Sequence, residues 1–160
     1  MTEVILHLGT NVGFKEINLE LARIMISNHI GPLQRLSSIY ETEAWGGVEQ
    51  ESFLNQAVSV TSLLSAREVL SSIQLIEAKM GRQREQHWGP RIIDIDILFY
   101  GDDIVDIPNL KIPHRELSKR NFVLQPLLEL CPDKVHPELG KSIRQLAEAC
   151  EDSLAVQKRE

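Results

Sequence analysis

Trp88-Gly89-Pro90-Arg91-Ile92-Ile93-Asp94-Ile95-Asp96-Ile97-Leu98-Phe99-Tyr100 is the stretch that decides how this chain folds. Residues 92 to 100 predict a β-strand, because they are isoleucine-rich and end in aromatics. Side chains alternate along a strand, so Ile93, Ile95 and Ile97 share one face. Asp94 and Asp96 share the other, roughly 7 Å apart by strand rise. Aspartate is disfavoured in strands, and neighbouring carboxylates repel. A hard divalent cation removes both objections, since Mg²⁺ binds through one or two carboxylates together with substrate phosphates. For an isolated Asp-x-Asp, a wet strand face is the plainer explanation.

The preceding loop shifts that balance. Arg82, Arg84 and Arg91 accompany His87, Trp88, Gly89 and Pro90. Guanidinium groups beside a carboxylate pair suit one ligand that satisfies both, a metal-bound polyphosphate. The alternative is a basic loop that neutralises the aspartates directly.

Working outward, the chain predicts one domain over residues 1–160, large enough for a real core. Apolar residues make up 42% and charged residues 25%, ordinary for a globular protein. The net charge of −6 argues against nucleic-acid binding, which needs a basic surface. Cys131 and Cys150 fit no metal-ligand spacing and are expected to be reduced thiols in a cytoplasmic protein. No signal-like N-terminus and no apolar run near 18 residues is present, so no membrane association is expected.

Val4–Leu8 predicts a buried strand, and Gly9-Thr10-Asn11-Val12-Gly13 a turn. Residues 14–29 predict a helix with Ile17, Leu21, Ile24 and Met25 inward, stopped by Gly31-Pro32. Leu33–Glu41 and Phe53–Thr61 predict two more strands. Phe53 and Asn55 fall on one face, pairing a stacking ring with an amide that donates and accepts. Ser65–Glu68 is a capping box that opens a helix with Val69, Leu70, Ile73, Ile76 and Met80 inward. Gln74 and Glu77 lie on another face of it and read locally as helix surface. Beyond Tyr100, a short strand Ile104–Ile107, a helical run Phe122–Leu130 and a helix Ser142–Cys150 are expected. The tail 151–160 is expected to fray. The order predicts an α+β, ferredoxin-like βαββαβ sandwich. Its sheet is mainly antiparallel, with helices on one face and a helical C-terminal extension.

Taken together, these motifs resemble the 6-hydroxymethyl-7,8-dihydropterin pyrophosphokinase family of folate biosynthesis. The resemblance runs from Gly9-Thr10-Asn11 through Phe53-Leu54-Asn55, Gly81-Arg82 and Trp88–Asp96 to Pro113-His114 and Arg120-Asn121-Phe122. It implies transfer of pyrophosphate from ATP to the pterin hydroxymethyl oxygen, with release of AMP. It implies that Asp94 and Asp96 hold two Mg²⁺ ions and that Arg82 and Arg91 meet phosphate charge. Gln74, Arg84, Trp88, Ile97, His114 and Arg120 match nucleotide-contacting positions. Phe53 and Phe122 match rings that sandwich the pterin, with Asn55, Thr42 and the Glu43–Trp45 loop at its edge. Glu77 matches a position near the active centre. The partners implied are small molecules, ATP and a reduced pterin, acting on a monomer. Three positions depart from the family pattern: the loop reads Glu43-Ala44-Trp45, residues 82–91 are one residue short, and Arg115 replaces an aromatic. Rival readings are a non-catalytic ferredoxin-like nucleic-acid module and another Asp-x-Asp metal-dependent transferase or nuclease. The net charge opposes the first, and neither explains Trp-Gly-Pro-Arg.

Overall fold

The computed structural model describes residues 1–43, 51–81 and 92–159. The main sheet contains β1 (Thr2–Thr10), β2 (Leu33–Leu36), β3 (Tyr40–Thr42), β4 (Phe53–Ser62), β5 (Asp94–Tyr100) and β8 (Val156–Lys158). Its order is β5-β1-β4-β3-β8, with β2 also on β4, and every pairing is antiparallel. The hairpin β6 (Val105–Ile107) and β7 (Leu110–Ile112) stands apart, turning through Asn109 at φ 68°. The expected ferredoxin-like α+β fold is present.

α1 (Lys15–His29) and α2 (Ala66–Gly81) cover one face of the sheet. Val4, Leu6 and Leu8 of β1 point there with Leu54, Val58 and Val60 of β4, and so do Ile93, Ile95 and Ile97. The capping box at α2 forms as expected: Ser65 N donates to Glu68, and Glu68 N donates to the Ser65 hydroxyl.

α1 corrects the sequence reading. Its buried residues are Leu19, Ala22 and Ile26, while Ile17, Leu21 and Ile24 are exposed and Met25 only partly packed. At 3.6 residues per turn the two sets lie on opposite sides of the helix. Both sides are apolar, so periodicity had no means of choosing between them. The expected strand Leu33–Glu41 is two strands, because Ser37 breaks the ladder. Its hydroxyl accepts from Ala57 N at 2.9 Å, and Gln56 Nε2 donates to its carbonyl at 2.7 Å.

The expected helical C-terminal extension, α3 (Asn121–Leu130) and α4 (Ile143–Ala149), covers the second face. Ile5, Ala57, Leu98 and Phe99 pack against Val123, Leu124 and Leu127 there. Glu129 fastens α3 to β3 and the residues before it, accepting from Tyr40 Oη at 2.6 Å and Ser38 N at 2.9 Å. Pro126 sits inside α3 without ending it.

The tail also departs from expectation. Residues 156–158 form β8 on β3, and Arg159 pairs with Glu16 at 2.6 Å. Asn121 N and Nδ2 donate to Asp152, at 3.0 and 2.8 Å, so the tail holds the start of α3. Fraying was expected from polarity, but the tail's partners lie across the fold.

Gly31 is where the α1–β2 connection crosses the β4 backbone. A Cβ built there would lie 2.0 Å from the Thr61 carbonyl oxygen. Backbone cannot step aside as a flexible side chain can, so Gly31→Ala should destabilise the fold by about 3 kcal/mol. Denaturant unfolding should report it, and an unchanged midpoint would show that this crossing has slack.

Candidate active site

Three adjacent strands present alternate residues to the second face in aligned rows. Asp94, Gly9 and Asn55 are paired across β5, β1 and β4, and so are Asp96, His7 and Ala57 in the next row inward. α3 covers Ala57 but leaves the outer row open. The result is a cleft of about 470 Å³. Gly9, Asn55 and the two aspartates border its floor, with Thr42, Glu43 and Phe53 on one side. Phe122, Arg120, His7 and Leu154 complete the wall.

The absent side chain at Gly9 keeps this floor clear. A Cβ there would meet only His7 Cε1 at 3.6 Å and Asn55 Oδ1 at 3.8 Å, so the space above it belongs to the cleft. Asn55 is oriented by its own donors: Nδ2 donates to Thr42 Oγ1 at 3.1 Å and to the Tyr40 carbonyl at 3.3 Å. That fixes Oδ1 as the acceptor turned toward the Gly9 position. Thr42 therefore acts by aiming Asn55.

A second cleft, about 340 Å³, opens beside β5 and the β6–β7 hairpin. Ile97, His114, Lys111 and Arg115 line it with Leu70 and Ile73 of α2. Asp96 lines both clefts, and His114 Nε2 stands 3.9 Å from its Oδ1. A ligand spanning the two clefts therefore passes the carboxylates. The donor set suits a hard cation shared with an anionic ligand: two half-exposed carboxylates on one strand face. Among the described residues, no cluster of three or more His, Cys, Asp or Glu forms a complete protein cage.

Of the residues singled out from sequence, Thr42, Phe53, Asn55, Asp94, Asp96, Arg120 and Phe122 come together in the first cleft. Arg120, expected among the nucleotide contacts, lines the first cleft with its guanidinium 5.6 Å from the Phe122 ring centroid. Ile97 and His114 line the second cleft. Gln74 is exposed on α2 next to Ile73. Glu77 is more than helix surface, since Ile95 N donates to its Oε2 at 2.9 Å and ties the edge strand β5 to α2. Trp45, Arg82, Arg84, Trp88 and Arg91 lie outside the described residues.

Sequence reasoning missed His7 and Leu154. His7 is 4% exposed, and its ring meets Phe122 edge-on with centroids 5.6 Å apart. Burial pulls its pKa down to about 4, against the opposing pull of Asp96 and the Phe122 carbonyl, so the ring is neutral at pH 7. One signal was available: a lone imidazole inside the apolar run Val4–Leu8. Leu154 gave none, because the tail reaches the cleft only through its pairing with β3.

Comparison with known proteins identifies the family. The profile of the 7,8-dihydro-6-hydroxymethylpterin-pyrophosphokinase family matches residues 5–132. The 2-amino-4-hydroxy-6-hydroxymethyldihydropteridine pyrophosphokinase of Aquifex aeolicus is 39% identical over 145 residues, 91% of this chain and 90% of that protein. The bifunctional protein FolKE of Lactococcus lactis subsp. lactis is 39% identical over all of this chain, which spans 46% of that longer relative. Plasmodium falciparum HPPK-DHPS, solved with pteroate, superposes with a TM-score of 0.75 over 92% of this chain and 42% of its own, at 18% identity. That last likeness speaks to the fold alone. With the family profile, the relatives and the two-cleft geometry in accord, this chain belongs to the 7,8-dihydro-6-hydroxymethylpterin-pyrophosphokinase family.

Proposed function

We propose that the chain is one pyrophosphokinase domain that transfers pyrophosphate from ATP to the hydroxymethyl group of 6-hydroxymethyl-7,8-dihydropterin, releasing AMP, in folate biosynthesis. The observation that carries this reading is the row Asp94–Gly9–Asn55: an amide acceptor, a bare floor and a carboxylate, aligned across three strands beside two phenylalanines. A flat bicyclic ring lying over Gly9 puts its amide-bearing end at Asn55 and its hydroxymethyl end at the aspartates. Phe53 and Phe122 enclose its faces, and stacking of this kind contributes about 1–3 kcal/mol.

The nucleotide takes the second cleft, past His114 and Ile97, with Gln74, Arg84, Trp88 and Arg120 as further contacts. Its phosphates then run toward Asp96, which both clefts share. The hydroxymethyl oxygen attacks the β-phosphorus. The bond from that phosphorus to the α–β bridging oxygen breaks, AMP leaves with the electron pair, and the hydroxyl proton passes to solvent. Asp94 and Asp96 would hold two Mg²⁺ ions, which neutralise and orient phosphate oxygens when bound. Arg82 and Arg91 meet the phosphate charge that shifts in the transition state. Little covalent work falls to the protein, so positioning dominates. We read the chain as a cytoplasmic monomer. Among the described residues, no helix is long and apolar enough to cross a membrane.

The test is incubation with ATP, Mg²⁺ and the reduced pterin alcohol. AMP should appear only when the pterin is present, and ADP in its place would contradict the reading. Asp94→Ala combined with Asp96→Ala should fold normally and lose Mg²⁺-dependent AMP release by roughly three orders of magnitude or more. A folded double variant of near-normal activity would remove the metal assignment. Gly9→Ala meets its neighbours at ordinary contact distances, so its melting temperature should hold. Its methyl occupies the floor, and pterin affinity should fall about ten-fold or more while nucleotide affinity stays. Calorimetric titration separates the two, and unchanged pterin binding would move the ring away from Gly9.

A further inference from the structure

His7 holds the one buried side-chain nitrogen or oxygen without a hydrogen-bond partner among the described residues, its Nε2. Leaving such a group unsatisfied is costly, so an orphan in a ligand cleft points to a ligand. The ring's position agrees. His7 sits on β1 one row inward of Gly9, between Asp96 on β5 and Ala57 on β4. Its Cε1, which lies between the two ring nitrogens, is 3.6 Å from a Cβ built at Gly9. A ring laid from Asn55 to the aspartates therefore presents one of its long edges to His7.

The other ring nitrogen is accounted for by α3. Pro126 has no N–H to give the Phe122 carbonyl four residues back. That carbonyl is left to face the His7 ring, where it opposes the effect of burial on the imidazole. Nε2 is the nitrogen without a partner, so Nδ1 is assigned to this carbonyl. With Nδ1 turned to that carbonyl, Nε2 is the nitrogen left for a ligand in the cleft. The edge-on contact with Phe122 holds the ring in this orientation.

On the pyrophosphokinase reading, we infer that His7 is a substrate-positioning residue, its Nε2 accepting a hydrogen bond from an N–H on the long edge of the bound pterin. His7 thereby fixes the ring's rotation over Gly9, which sets where the hydroxymethyl oxygen sits relative to the β-phosphorus.

Two substitutions separate this from a packing role. In His7→Asn the amide replaces Nδ1 and leaves nothing at Nε2. In His7→Gln the amide oxygen reaches the Nε2 position. With Mg²⁺ and a non-hydrolysable ATP analogue present, His7→Asn should weaken pterin binding about ten-fold, the scale of one hydrogen bond to a buried site. Nucleotide affinity and melting temperature should change little, and KM for the pterin should rise more than kcat falls. His7→Gln should recover most of the lost affinity. Pterin binding by His7→Asn equal to that of the unaltered protein would overturn the inference, and so would equal losses in both variants. The unaltered protein gives a direct readout as well. The imidazole ¹⁵N resonance of His7 Nε2 should shift when pterin is added and not when nucleotide alone is added, and a resonance that pterin leaves in place overturns the assignment. Absence of AMP formation by the unaltered protein would overturn the enzyme reading itself, and with it this role; normal turnover with an indifferent His7 would overturn the role alone.

Discussion

The register that binds β1 between β4 and β5 is the constraint on which everything else depends. It aligns Gly9 with Asn55 on one side and with Asp94 on the other. A strand's side chains alternate, so slipping either pairing by one residue would turn the aspartates or Asn55 into the core under α1 and α2. The same alternation supplies the force that prevents the slip. Val4, Leu6 and Leu8, Leu54, Val58 and Val60, and Ile93, Ile95 and Ile97 are all buried on that opposite face. Moving them into water would cost about 1.5–3 kcal/mol for each side chain. The apolar core thus specifies the polar site by exclusion.

The second face is divided. α3 and α4 seal the half carrying Ile5, Ala57 and Phe99, and the cleft occupies what they leave. The boundary is the start of α3, where Phe122 meets His7 and Asp152 receives Asn121. The width of the cleft therefore depends on a tail that lies beyond residue 132, where the family profile ends. Glu129 on Tyr40 and Ser38 fastens the same helix from its other end. Cleft and fold share these restraints, so changes in the tail should be felt at Phe122 on the cleft wall.

What the sequence made legible was local and periodic. The alternation of isoleucine and aspartate in residues 92–97 placed the carboxylates correctly, because a half-buried strand writes its two faces into its sequence. Phe53 and Asn55 were separable by the same rule. α1 was not, since it carries apolar residues on both sides and only its packing on the sheet selects Leu19, Ala22 and Ile26. Ser37 splits a strand through side-chain bonds to Gln56 and Ala57, a pairing 20 residues distant for which sequence has no local mark. Glu77 read as surface because its partner, the Ile95 amide, becomes available only at the edge of an assembled sheet. His7 was visible as an oddity in an apolar run, but its meaning required the position of Phe122.

The central claim is that the pterin lies over Gly9 with its hydroxymethyl group at the carboxylates. The most direct measurement is a crystal structure of this chain with Mg²⁺, a non-hydrolysable ATP analogue and the reduced pterin. The bicyclic ring should lie between Phe53 and Phe122, hydrogen-bonded to Asn55 Oδ1, with metal-bound phosphates on Asp94 and Asp96 and the nucleotide continuing past His114. A pterin bound away from Gly9, or phosphates that avoid both aspartates, would contradict it.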